Sequence, residues 1–148
     1  MRWISVLLAW AIAVVVAVLA GSAVQTHYNM ARIVELGVPV SLMQRLQATW
    51  HDWMNFAPIY AILIVLTYLI AWLVAGMLQR LMPEWRTAIF ILAGGLSIWT
   101  LIVIMNGVLP ITGIAATRTG GGVLAMSLAG AVAGWLYVTL APKPNHAI

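Results

Sequence analysis

Polar and apolar positions divide this chain into four long apolar runs and one long mixed stretch. The runs cover about residues 3–22, 58–79, 87–108 and 122–141, and none contains an acidic or basic residue. Each is close to the ~20 residues that a helix needs to cross a ~30 Å hydrocarbon core. The mixed stretch, about 22–57, holds two of the three acids (Glu35, Asp52), two of the seven cations (Arg32, Arg45) and two of the three histidines (His27, His51).

Helical character need not stop where the first run ends. Val24 to Leu36 contains no breaker, so one helix is expected from about Trp3 to Leu36. Gly37 fits the residue just past a helix end, and Pro39 follows as a stop. Ser41 is a good N-cap for the next helix. From there the apolar residues Leu42, Leu46, Trp50, Trp53, Met54 and Ala57 alternate with Gln44, Arg45, Gln47, His51, Asp52 and Asn55 at a helical period. Pro58 either opens the second span as a first-turn proline or kinks one long helix there. The expected fold is a single domain over residues 1–148. It is an all-α integral membrane protein, a four-transmembrane-helix bundle with an extended amphipathic helical hairpin between spans 1 and 2.

Composition agrees with that reading. Charged residues make up 7% of the chain, hydrophobic ones 64%, and mean hydropathy is +1.05. Soluble domains carry roughly 25% charged residues. The first run also has the outline of a signal peptide, with a short basic start and small residues after the apolar core. It is long enough to span, and the chain retains it, so the spanning reading is preferred. Four spans put both termini on one side, with Arg2, Arg80, Arg86 and Lys143. Arg32, Arg45 and Arg118 fall on the other side. This weak bias favours cytoplasmic termini in a bacterial-type inner (plasma) membrane. Pro142 and Pro144 open a short polar tail containing His146.

The absence of cysteine removes disulfides, thiolate metal sites and cysteine nucleophiles. The formal charge of +4 is scattered, so no nucleic-acid partner is expected. No nucleophile turn or phosphate-binding loop occurs, and His51 and Asp52 point about 100° apart on a helix, so no catalytic residues are assigned. No metal site or cofactor is assigned either. Haem held by His27 and His51 stays open as a minor alternative.

Candidate binding residues fall in four groups. Folding the hairpin at residues 37–40 pairs positions that sum to about 77, which sets Arg32 opposite Arg45 and Gln25 opposite Asp52. Gln25, His27, Asn29, His51, Asp52 and Asn55 then form an outer polar cluster, read mainly as a solvated surface. Arg32, Arg45, Trp50 and Trp53 are candidate anchors for a partner or lipid, because aromatic residues and arginine dominate contact energetics. Arg118 with Gly120, Gly121 and Gly122 resembles an anion or headgroup cradle at a helix start; a flexible turn, with glycines serving close packing, is the plainer reading. Ala125, Ala129, Gly130, Ala133 and Gly134 form a small-residue face suited to close helix packing in lipid.

Four spans with a long first outer loop resemble the claudin layout in topology alone. The paired cysteines of that family's loop are absent, so no residue carries over. The trimeric glutathione-utilising membrane enzymes are similar in length and span number, but their arginine-rich and acidic motifs are not found. The functional expectation is a non-enzymatic assembly or accessory component that uses its outer hairpin. Its partners would be membrane lipids and a membrane-protein partner or further copies of itself. The alternatives are a homo-oligomeric channel or carrier for a small solute or anion, and a haem- or quinone-binding redox protein.

Overall fold

The computed structural model describes residues 2–109 and 113–143. Pro110, the tail from Pro144 with His146, and the side chain of Arg2 lie outside the described residues. Four α-helices follow one another: α1 Arg2–Glu35, α2 Leu42–Leu81, α3 Arg86–Val108 and α4 Gly120–Leu140. Short 3₁₀ turns occupy Pro83–Trp85 and Ala115–Arg118, and there is no strand among the described residues. All four helices are long and apolar enough to cross a membrane, the build of a multi-pass membrane protein.

The hairpin turn forms from its own local chemistry. Gly37 has φ +83°, a left-handed conformation that costs a glycine nothing. Its amide donates to the Val34 carbonyl and that of Val38 donates to Ile33, which together close the α1 C-terminus as a Schellman motif. Ser41 then caps α2. Its hydroxyl accepts from the Gln44 amide, and the Gln44 side chain accepts from the Ser41 amide. α2 runs unbroken through Pro58, so the proline does not open a separate second span. The ring is exposed and costs one backbone hydrogen bond.

The main helix contacts follow the ring order α1, α2, α3, α4 and back to α1, and α2 also reaches α4 across the middle through Tyr68 and Trp72. The interior is built from one four-residue row per helix. These rows are Ala9, Ala13, Ala17 and Gly21 of α1, and Tyr60, Ile64, Tyr68 and Trp72 of α2. From α3 and α4 come Phe90, Gly94, Ile98 and Ile102, and Gly122, Met126, Gly130 and Gly134. The large row of α2 fills the space left by the small rows. A methyl group on Gly21 would press on the Tyr60 ring, and Trp72 stands edge-on to Tyr137. Leucines such as Leu66, Leu73, Leu92, Leu96, Leu124 and Leu128 point outward. This is the order expected in lipid. There, aliphatic side chains gain little by turning inward, and close backbone packing holds helices together.

The small-residue face of α4 lies largely at these helix contacts. Ala129, Gly130, Ala133 and Gly134 are buried, and Ala125 is half-buried. A Cβ on Gly130 would run into the Gly94 carbonyl, and one on Gly134 into the Phe90 carbonyl.

Two interior tyrosines differ in one respect. The Tyr68 hydroxyl donates to the Gly130 carbonyl at 3.2 Å. The Tyr60 hydroxyl is buried with no partner among the described residues. A buried hydroxyl without a partner costs about 1–3 kcal/mol, and a made bond contributes about 1 kcal/mol. Tyr68→Phe should therefore lower stability by about 1 kcal/mol, and Tyr60→Phe should leave it unchanged or raise it. Unfolding in a mild detergent, followed by circular dichroism, compares the two. Equal losses would mean that the Tyr60 hydroxyl has a partner after all.

Candidate functional site

At about 1.5 Å per residue, α1 and α2 are about 51 and 60 Å long, whereas α3 and α4 are about 35 and 32 Å. The long pair therefore extends beyond the outer ends of the short pair. The level of that step is marked by Tyr28 of α1, whose hydroxyl lies against Gly121 at the start of α4.

A band of polar contacts braces the bundle at this level. The Gln25 side chain, buried, accepts from the Ala116 amide at 2.8 Å and so ties α1 to the 3₁₀ turn before α4. One residue on, the Thr26 hydroxyl donates to Asp52 Oδ2 at 2.6 Å, which ties α1 to α2. This is the short distance of a charge-assisted bond. Asn106 of α3 and Thr117 of the turn share a side-chain contact at 3.3 Å, and the Thr117 hydroxyl also reaches the Ile114 carbonyl. Trp53 donates its indole N–H to the Leu19 carbonyl at 3.2 Å. Ser22 is wholly buried, and its hydroxyl has no partner among the described residues.

The structure thus splits the predicted outer cluster. Asp52 pairs with Thr26, one residue from its expected partner, and Gln25 turns to the other side to hold the loop. His51, itself exposed, lies 3.7 Å from the half-buried Asp52, and the two form an ion pair only when the histidine is protonated. His27 and Asn55 are exposed, Asn29 is half-buried, and the Asn55 side chain donates to its own helix at the His51 carbonyl. Among the described residues no three histidines, aspartates or glutamates gather as a metal site would require.

The glycine-rich stretch before the fourth span is helix rather than loop. Thr119 caps α4 by accepting from the Gly122 amide at 3.1 Å, so that amide is already used. A Cβ on Gly122 would overlap the Ala116 carbonyl, which accounts for glycine there by close approach. Gly120, Gly121 and Arg118 are exposed.

Of the predicted anchors, Arg32 forms an exposed 3.2 Å ion pair with Glu35, Arg45 is half-buried and Trp53 braces α1. Trp50 is 61% exposed and edge-on to Trp53. It lies in a row with Leu42, Leu46 and Met54, all exposed at four-residue spacing along α2. Leu36, Val38 and Met43 extend the apolar surface to the tip of the hairpin.

Sequence reasoning missed three groups: Thr26, the Gln25–Ala116 bond, and Arg86. The Arg86 guanidinium donates to the carbonyls of Val138 at 3.3 Å and Ala141 at 3.0 Å, capping the C-terminal end of α4. A positive charge at that position also opposes the negative end of the helix dipole. Its signal in the sequence was an arginine directly before an apolar run. Nothing local says which carbonyls such a residue will find.

The chain is thus an all-helical protein with four membrane-length helices, braced at both ends by polar side chains and with an apolar face on the hairpin between α1 and α2. Comparison with protein-family models, with curated proteins and with solved structures finds no match.

Proposed function

We propose that this protein is a non-enzymatic assembly or accessory component of a bacterial-type inner (plasma) membrane, with both termini cytoplasmic. Its outer hairpin docks on a membrane-protein partner. The observation that carries this reading is the exposed row Leu42, Leu46, Trp50 and Met54 on α2, which starts past the level where α4 begins and continues down to the Asp52–Thr26 contact. An unpaired apolar row of this kind is the half-interface that helix-in-groove recognition uses. Trp50 is its natural centre, because an exposed tryptophan gains most from being covered. The polar contacts beneath it serve the fold: Asp52 and Trp53 fix the α2 face that carries the row. A channel or carrier would need a path between copies, since large side chains such as Tyr60, Tyr68, Phe90 and Met126 fill the interior of one bundle.

The test is Trp50→Ala with Leu46→Ala. The double variant should fold as the native chain does and should lose a partner that co-purifies in mild detergent, at least tenfold by native mass spectrometry. Complexes unchanged by the double variant would sink the reading. A defined homo-oligomer that the variant disperses would instead make the partner a second copy.

A further inference from the structure

The end of the molecule opposite the hairpin carries a second surface feature. Glu84, Arg86 and Thr87 at the start of α3 and Trp135, Thr139 and Lys143 at the end of α4 line a polar bay of about 700 Å³. A separate apolar groove of about 710 Å³ runs along the α3–α4 seam. The two lie on one face. On α3, Thr87 of the bay is followed at four-residue steps by Ile91, Gly95 and Trp99 of the groove. On α4, Trp135 and Thr139 of the bay are followed in the same way by Ala131 and Ser127.

Close packing makes the groove. The glycine contacts of Gly94 with Gly130 and of Gly134 with Phe90 draw the two backbones together on the inner side. On the outer side Gly95 has no side chain, and a Cβ there would lie 3.4 Å from that of Ala131. The floor is therefore low, while Leu92, Leu96, Trp99, Leu124 and Leu128 stand exposed as walls. From Thr87 to Trp99 is about 18 Å along the helix. That is close to the ~15 Å depth of one leaflet of hydrocarbon.

The geometry points to a binding site for one anionic phospholipid, with its phosphate in the bay and one acyl chain in the groove. The bay holds two cations and one acid; the positive end of the α3 dipole opens into it, and Arg86 covers the negative end of α4 beside it. Two of the five N–H donors of Arg86 go to the α4 carbonyls, which holds the guanidinium at the bay wall. Trp135, half-exposed at the junction, has the amphipathic indole suited to the level where headgroup meets chain. The site is independent of the hairpin and of its partner.

Native mass spectrometry of the full chain from mixed phosphatidylglycerol and phosphatidylcholine nanodiscs tests this. The native protein should retain one phosphatidylglycerol at least tenfold over phosphatidylcholine. Lys143→Gln, which leaves the Arg86 cap intact, should cut that preference severalfold. Ala131→Phe, which fills the groove, should abolish retention of either lipid while circular dichroism stays native. Equal retention of the two lipids by the native chain would overturn the proposal. So would retention of phosphatidylglycerol that Ala131→Phe leaves unchanged, or competition by inorganic phosphate alone.

Discussion

Gly94→Leu is expected to unfold the bundle or to cost it several kcal/mol. A side chain at position 94 meets the backbone of Gly130 and Gly134 rather than a flexible side chain. Neither the Gly130 carbonyl nor the Gly134 amide can move aside, so α3 and α4 must separate. Overpacking ordinarily costs about 1–3 kcal/mol, and parting two backbones belongs at or above the top of that range. The separation would also break the Tyr68 bond to Gly130. A domain holds only about 5–15 kcal/mol in total. Gly130→Leu should behave in the same way, because the two glycines face each other. Gly107→Ala should act with the opposite sign. It lies one residue from the end of the same helix, a Cβ there meets nothing within 4 Å, and the gain should be at most about 0.5–1 kcal/mol, which is what Gly to Ala gives in a helix interior. Unfolding of the three variants in one detergent decides the matter. If Gly94→Leu melts where the native protein does, the α3–α4 seam is not closed by these glycines.

Gln25→Met should release the turn that leads into α4. The substitution keeps the length of the side chain and removes the acceptor, so the wholly buried Ala116 amide loses its partner. Stranding a buried donor costs about 1–3 kcal/mol. The loss should be local as well as global: amide exchange across Ala115–Arg118 should accelerate by one to two orders of magnitude. His27→Ala is the control on the same turn of helix. It is exposed, so its effect should stay within about 0.5 kcal/mol. Exchange at Ala116 that does not respond to Gln25→Met would show the turn to be held by Ile114 and Thr117 alone.

The two substitutions mark the two degrees to which this fold could be read beforehand. Gly94 stands in a Gly-Gly pair inside an apolar run, and the small residues of α4 had already pointed to close helix contact. Their pairing was invisible, because a row of small residues does not name its opposite row. Gln25 was selected as polar and placed near Asp52 by hairpin register. That register holds to one residue, as the Thr26–Asp52 bond shows. The register of a hairpin follows from its turn, and the turn is local. The partner of Gln25 is not local. It lies 91 residues away in a loop whose approach depends on how α4 returns along α1. Arg86 was hidden for the same reason: its acceptors are 52 and 55 residues away.

By itself the sequence determined the four helices and the hairpin turn, but not whether α2 breaks at Pro58 or where α4 begins. Four apolar runs require four helices, since helices satisfy their backbone polar groups without water. Gly37 and the Ser41–Gln44 box place the turn, because backbone conformation and capping act within a few residues. In the mixed stretch, the period of Leu42, Leu46, Trp50 and Met54 named the apolar face of α2, because polar residues fill the positions between them. Inside the spans only the tertiary structure decided which side faces in. A helix apolar on all sides presents the same chemistry to lipid and to protein, so no period marks its inner face. There, shape decides: Tyr60, Tyr68 and Trp72 turn inward because the alanines and glycines of α1 and α4 leave room for them.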